Sequence, residues 1–272
     1  MPPLSRLDHV VIAVRNLDEA AKTYRSFGFN LTPRGLHEGK GTGNHCIMFP
    51  NTYVELLGVV DASGAEGRLA QRVKARGEGG IAIAYGADDA DKTCAALRAA
   101  GIDAEDPNDL SRPLDLDGKR EMVRFRNVNM PGLKLPETMQ FVCTHATPEL
   151  TRARREWQLH PSGATGVTKI IVAHDKPQDA ATELAKLFGT AGELDNATIA
   201  VQTRAEIEKH AGPDALKGAP AQGIMGLAIR VNEVDAVAAM LDMGRIPHRE
   251  ANHRLIVPAH AAHGVFLEFA ED

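Results

Sequence analysis

The sequence predicts an α+β protein assembled from four units of one kind, each a strand, a helix and then two or three further strands. Three observations carry this. One pattern recurs four times, an apolar strand running into an acidic turn, an amphipathic helix and a closing glycine. The copies are LDHVVIAVRNLDEAAKTYRSFG ending at Gly28, IAIAYGADDADKTCAALRAAG ending at Gly101, VTKIIVAHDKPQDAATELAKLFG ending at Gly189 and IMGLAIRVNEVDAVAAMLDMG ending at Gly244. Within each copy the apolar spacing switches from period 2 to period 3.6, and strand-turn-strand punctuation follows the helix.

In the first copy, Val10, Ile12 and Val14 alternate with His9, Val11 and Ala13, and the β-branched content suits a pleated strand with a buried face. Asn16 or Asp18 is expected to cap the helix with its side-chain oxygen, and Ala20, Ala21, Tyr24 and Phe27 fall on one face. Gly28 supplies the stop, because the residue past a helix end commonly takes positive φ. Asp88 or Asp89, Asp175 or Asp179, and Asp235 fill the acidic position in the other copies, with Gly101, Gly189 and Gly244 as stops. The closing strands are expected at His45 to Phe49 and Tyr53 to Val59 in copy one, Met122 to Phe125 and Thr138 to Cys143 in copy two, and Arg254 to Val257 and Val265 to Phe269 in copy four. Copy three offers only Ala197 to Gln202 before another helical stretch, so its hairpin reads as truncated.

The chain has 272 residues, 43% hydrophobic and 25% charged, enough for one large domain or two medium ones. Residues 1–145 are expected to form an N-terminal half, 146–166 a connector, and 167–272 a C-terminal half. A formal charge of -5 and a pI near 6.1 give no basic footprint for nucleic acid. The longest apolar runs are strand-sized, and MPPLSRLDH has no apolar signal core, so a cytoplasmic protein without membrane partners is expected. Cys46, Cys94 and Cys143 lack CxxC spacing and read as buried thiols. There is no G-x-S-x-G elbow, Walker A loop or H-E-x-x-H helix, and GKGTG at 39–43 reads as a mobile loop.

The segments LDHVVIAV (7–14), GTGNHCIMFPNTYVELLG (41–58), MQFVCTHATPEL (139–150) and HPSGATGV (160–167) resemble the glyoxalase-like domain branch of the vicinal oxygen chelate superfamily, whose members include glyoxalase I and extradiol dioxygenases. The resemblance implies four βαβββ-type units forming paired curved mixed sheets with an open cup and helices on the outside. It also implies metal ligands on the first and last strands of units, pointing inward.

Carried over residue by residue, the resemblance places His9 at the histidine-ligand position and Glu55 at the carboxylate position, with Gln140 offering an oxygen from unit two. The equivalents of His9 elsewhere, Gly80, about Thr168 and Gly226, are not strong ligands. His45 and His145 are possible substitutes, and a pairing of units one and four would bring in Glu268 instead. A histidine and a carboxylate suit a divalent Zn, Mn, Fe or Ni ion. His45, Arg124, His145, Trp157 and His160 are the expected substrate contacts, with Arg124 and Arg126 sharing a strand face suited to a carboxylate or phosphate. The implied function is a divalent-metal-dependent lyase or isomerase that stabilises an enediolate-type intermediate, with Glu55 moving the proton. The alternative is a metal-free protein of this fold that binds or sequesters a small molecule. A small-molecule substrate or ligand is the expected partner, with a homodimer left open. Extradiol dioxygenase activity is disfavoured, because Thr168, Gly226 and Glu268 stand where two histidines and a glutamate would be required.

Overall fold

The structure is a computed structural model and describes residues 2–133 and 135–271. An eight-stranded sheet comprises β1 (Arg6–Val14), β2 (Gly35–His37), β3 (Thr42–Met48), β4 (Tyr53–Val59), β5 (Gly79–Gly86), β6 (Asn108–Leu116), β7 (Lys119–Asn129) and β8 (Met139–His145). Their order is β2-β3-β4-β1-β5-β8-β7-β6, and the end strands β2 and β6 approach each other, so the sheet curls almost into a barrel. Strand β1 pairs in parallel with β4 and antiparallel with β5, which places the first strands of units one and two side by side at the centre. Helices α1 (Leu17–Ser26), α2 (Arg68–Arg76) and α3 (Ala90–Ala99) belong to this half. The short helix α4 (Pro148–Thr151) and a 3-10 turn at Arg155–Gln158 follow it.

The second sheet contains β9 (Ala164–Ala173), β10 (Thr198–Gln202), β11 (Gly223–Val231), β12 (Arg249–Ala251), β13 (Arg254–Val257) and β14 (Phe266–Ala270), in the order β10-β9-β11-β14-β13-β12. Helices α5 (Pro177–Phe188), α6 (Arg204–Ala211) and α7 (Val234–Met243) accompany it. Units one and two therefore pair with each other, as do three and four. Glu268 accordingly does not join His9: it is buried on β14, accepting from Arg254 and paired with His210, both at 2.9 Å.

The repeat holds in its local detail, with informative departures. Asn16 caps α1 by accepting from the backbone N–H groups of Asp18 and Glu19, and Asp89 caps α3 by accepting from that of Lys92. The repeat helices of units three and four use no side-chain cap: α5 starts with Pro177 behind Lys176, and α7 follows Glu233, so Asp179 and Asp235 lie inside the first turns. Gly28, Gly101 and Gly189 take positive φ, but Gly244 does not, and Arg245 takes the left-handed turn in its place with φ of 52°. In unit three the truncated hairpin is the single strand β10, followed by α6. Its Ile207 and Ala211 pack with Ile171, Met225, Ile256 and Phe266, so apolar side chains fill the second sheet's concave side.

The convex faces and their helices share one core that crosses between halves, joining Val10, Ile12, Tyr24 and Ile83 to Ile170, Leu187, Leu227 and Phe269. Tyr85 meets Phe188 at a 5.2 Å ring separation, and the Tyr24 hydroxyl donates to the Ala262 carbonyl at 3.2 Å. Where β5 crosses β11 the backbones approach so closely that a Cβ on Gly80 would lie 2.5 Å from the Ile224 Cβ. Overpacking at such a crossing costs about 1–3 kcal/mol. Gly80→Ala is therefore expected to lower the unfolding free energy by that amount, read as a lower midpoint of urea unfolding with an unchanged slope; a midpoint equal to wild type would contradict this packing.

Candidate functional site

The eight-stranded sheet encloses a cavity of about 740 Å³ on its concave side. Period-2 alternation decides what faces it: Asn44, Cys46 and Met48 from β3, Tyr53, Glu55 and Leu57 from β4, and Met139, Phe141 and Cys143 from β8. Two segments cover its ends. Val73 and Leu69 of α2 pack on Val11, Ile81 and Phe141, while Leu150 and Trp157 of the connector pack around Tyr53, Leu114 and Val123. Trp157 belongs to the 3-10 turn at Arg155–Gln158.

His9 and Glu55 face each other inside this cup. His9 is buried, its Nε2 lies 3.8 Å from Glu55 Oε2, and its ring stacks on Tyr53 with centroids 4.3 Å apart. Each is held by a neighbour. His9 Nδ1 donates to Asp8 Oδ2 at 2.6 Å, which leaves the Nε2 lone pair facing the cavity. Asn44 Nδ2 donates to Glu55 Oε1 at 2.6 Å, which leaves Oε2 turned toward His9.

Asp8 is the residue that the repeat pattern does not single out. It would face away from the cup if β1 were regular, but the β1–β5 register shifts between Leu7 and His9, and this bulge re-aims it. It accepts from His9 and, at 3.0 Å, from His145 Nε2 at the end of β8, while His145 Nδ1 meets Thr151 Oγ1 at 3.1 Å. Burial raises the Asp8 carboxyl, but the hydrogen bonds from His145 and His9 outweigh it and hold the group well below the usual carboxylate range. Cys143 joins this cluster, with potential ligand atoms of Asp8, Cys143 and His145 all within 4.8 Å of one another. Burial, and then the charge of Asp8, push the Cys143 thiol upward; burial and the charge of Glu55 push that of Cys46 up to about 12. Both cysteines are thus held as neutral thiols.

Other sequence-expected site residues lie elsewhere. Gln140 alternates with Met139 and Phe141, so it faces the core and accepts from the Tyr85 hydroxyl at 2.7 Å; it does not join His9 and Glu55. His45 likewise points away from the cup and bonds the Thr32 carbonyl at 2.8 Å. Arg124 is exposed outside the cavity, and Arg126 pairs with Asp91 and Asp109. His160 locks the connector to the sheet: Nδ1 accepts from the Asn30 N–H at 3.0 Å and Nε2–H donates to the Met48 carbonyl at 2.9 Å. Reckoned from the caps Asn16 and Asp89, the counterpart of His9 on β5 is Ala82 rather than Gly80. Trp157 lines the cup, and His145 stands behind it through Asp8.

Residues 7–188 match the family described as glyoxalase-like domain. The chain belongs to this family, and its paired sheets have the vicinal oxygen chelate architecture. A hypothetical protein from Staphylococcus aureus shares the fold over 97% of this chain and 98% of its own, with a TM-score of 0.68 and 13% identity. Methylmalonyl-CoA epimerase from Mycobacterium tuberculosis aligns with 56% of this chain and 94% of its own at 21% identity and a TM-score of 0.43. Methylmalonyl-CoA epimerase from Streptomyces coelicolor, in complex with 2-nitronate-propionyl-CoA, aligns with 53% of this chain and 99% of its own at 23% identity and a TM-score of 0.41. No curated protein matches the sequence.

His9 Nε2 and Glu55 Oε2 are a nitrogen and an oxygen donor 3.8 Å apart, each with the outer hydrogen bond that orients a ligand. A divalent ion at this pair would have two protein donors, one fewer than the three usual at catalytic zinc.

The histidines also set an acid limit on stability. Burial lowers His160 and His45 from the ordinary 6.5, so each is neutral in the fold and protonates more readily in the unfolded chain. Their contribution is complete above pH 6.5 and is lost as the pH falls below it. The expected result by calorimetry is a Tm that drops between pH 7.5 and 5.5, with a shallower drop in His160→Gln; a flat Tm over this range would contradict it.

Proposed function

We propose that this chain is a small-molecule lyase or isomerase of glyoxalase type that works in the cup of the eight-stranded sheet. The observation that carries this reading is the pair of pre-oriented donors, His9 Nε2 and Glu55 Oε2, facing each other 3.8 Å apart in a mainly apolar cavity. Asp8 fixes the His9 tautomer and ring, and Asn44 fixes the Glu55 carboxylate, so neither group has to reorganise when substrate arrives.

A divalent ion held by His9 and Glu55 would supply Lewis acidity toward two adjacent oxygens of the substrate. Glu55 is the proton carrier: its Oε2 faces the space where a carbon acid beside a carbonyl would lie, and removal of that proton gives an enediolate-type oxyanion. Val11, Leu57 and Phe141 around the pair exclude water and strengthen electrostatic interactions there. A second reading, a metal-free binder, is favoured by Ala82 and Phe141, which supply no donor from the other unit's first and last strands.

Elemental analysis after reconstitution with Mn, Fe, Ni and Zn separates the two. Stoichiometric divalent metal in the wild type, lost in both His9→Ala and Glu55→Ala while circular dichroism is unchanged, is the expected result. A wild type that retains no metal would overturn the metal-dependent reading in favour of the binder.

A further inference from the structure

The cup carries a second polar feature that the proton-transfer pair does not use. Arg112 of β6 lines the cavity at the seam where β6 meets β2, and it is only partly exposed. Among the described residues it has no carboxylate within 4.0 Å and no side-chain hydrogen-bond partner. Two of the charged residues that line the cavity are paired elsewhere: Arg72 with Glu137, and Glu38 with Arg120 at 2.5 Å.

The surroundings of Arg112 are open to a ligand. Asn44 Oδ1 is buried and also finds no partner among the described residues, because the Nδ2 of the same amide is committed to Glu55. Gly35 on β2 makes room for the arrangement: a Cβ there would lie 2.3 Å from Asn44 Oδ1 and 3.1 Å from Arg112 Nη1. Any side chain at this position would thus displace the amide that orients Glu55. Buried polar atoms without partners are uncommon in native folds, and here one stands beside an unpaired guanidinium.

Charge points the same way. Lys40 and Arg68, both exposed, stand at the rim without an ion pair among the described residues, so the free charges facing the cavity are three cations against Glu55. Low-dielectric walls focus such a field on the interior. The remaining lining, including Leu110, Leu114, Phe125 and Trp157, is apolar.

We propose that Arg112 is the substrate-specificity residue of the cup and that the substrate is an organic acid, its carboxylate paired with Arg112 and its apolar body packed on Phe125 and Trp157. A guanidinium matches a planar carboxylate through two parallel N–H donors, which a neutral amide cannot reproduce. The carboxylate lies apart from the oxygens that meet His9 and Glu55, and a hydroxyl or N–H next to it would satisfy Asn44 Oδ1. This deepens the function proposed above and rests on the same cup.

Trp157 is the sole tryptophan of the chain and lines the cup, so its fluorescence reads occupancy without any turnover. Titration with 3-phenylpropanoate and with 3-phenylpropanamide is the test, on wild type, Arg112→Gln, Arg112→Lys and His9→Ala. The carboxylate is expected to bind at least about tenfold more tightly than the amide, the ratio of one charge-assisted hydrogen-bonded pair. That preference should vanish in Arg112→Gln, return in part in Arg112→Lys and survive in His9→Ala. A preference that survives Arg112→Gln but disappears in His9→Ala places the carboxylate on the metal pair, which overturns this proposal and leaves the previous one standing. No binding of the carboxylate to wild type, or no preference for it, also overturns it.

Discussion

A buried carboxylate is the constraint on which the site depends. Asp8 sits inside the protein at a bulge between the two central strands, and removing its charge from water is costly unless charge-assisted hydrogen bonds compensate. Two imidazoles do so, one from the next residue on β1 and one from the far end of β8. The consequences run outward. The same contacts join the first and last strands of the half and turn His9 Nε2 into the cup opposite Glu55. Without the bulge, Asp8 would face the core beside Leu7 and Val10, where no imidazole could meet it.

The two halves use one plan to different ends. In the first, the concave face stays open because the covering elements, α2 and the Trp157 connector, sit at its ends. In the second, α6 follows the single strand β10 and presses Ile207 and Ala211 onto the sheet. Glu268 then belongs to an ion pair with Arg254, which satisfies its buried charge locally. One half thus carries the polar pair and the cavity, while the other contributes core along the shared convex faces.

Most of the fold was legible because hydrophobic period and turn chemistry are local properties. LDHVVIAV and IMGLAIRV announce their strands, and Asn16 and Asp89 cap as their side chains allow. Strand β6, NDLSRPLDL, was not legible: it is largely exposed, contains Pro113 and owes its existence to pairing with β7. Helix α2, RLAQRVKAR, is short and mostly polar and buries only Val73. The resemblance supplied the positions of His9 and Glu55, and the fold brings the two together. Gln140 and His45 point away from that pair, a placement that alternation from Glu55 and its neighbours assigns once register is known. Asp8 had a signal of its own, an acid in an apolar strand that must find a partner, but its two partners lie one and 137 positions away and only the fold unites them. Arg112 had none, because the seam between β2 and β6 is a product of sheet curvature.

The orientation of His9 is the central claim, and long-range proton–nitrogen correlation spectroscopy of the histidine rings tests it directly, with the His9 signals assigned by their loss in His9→Gln. The structure predicts the tautomer with the proton on Nδ1, held by Asp8, and an unprotonated Nε2 facing Glu55. A ring protonated on Nε2 would contradict the account, since the nitrogen that faces the cup would then have no lone pair to offer.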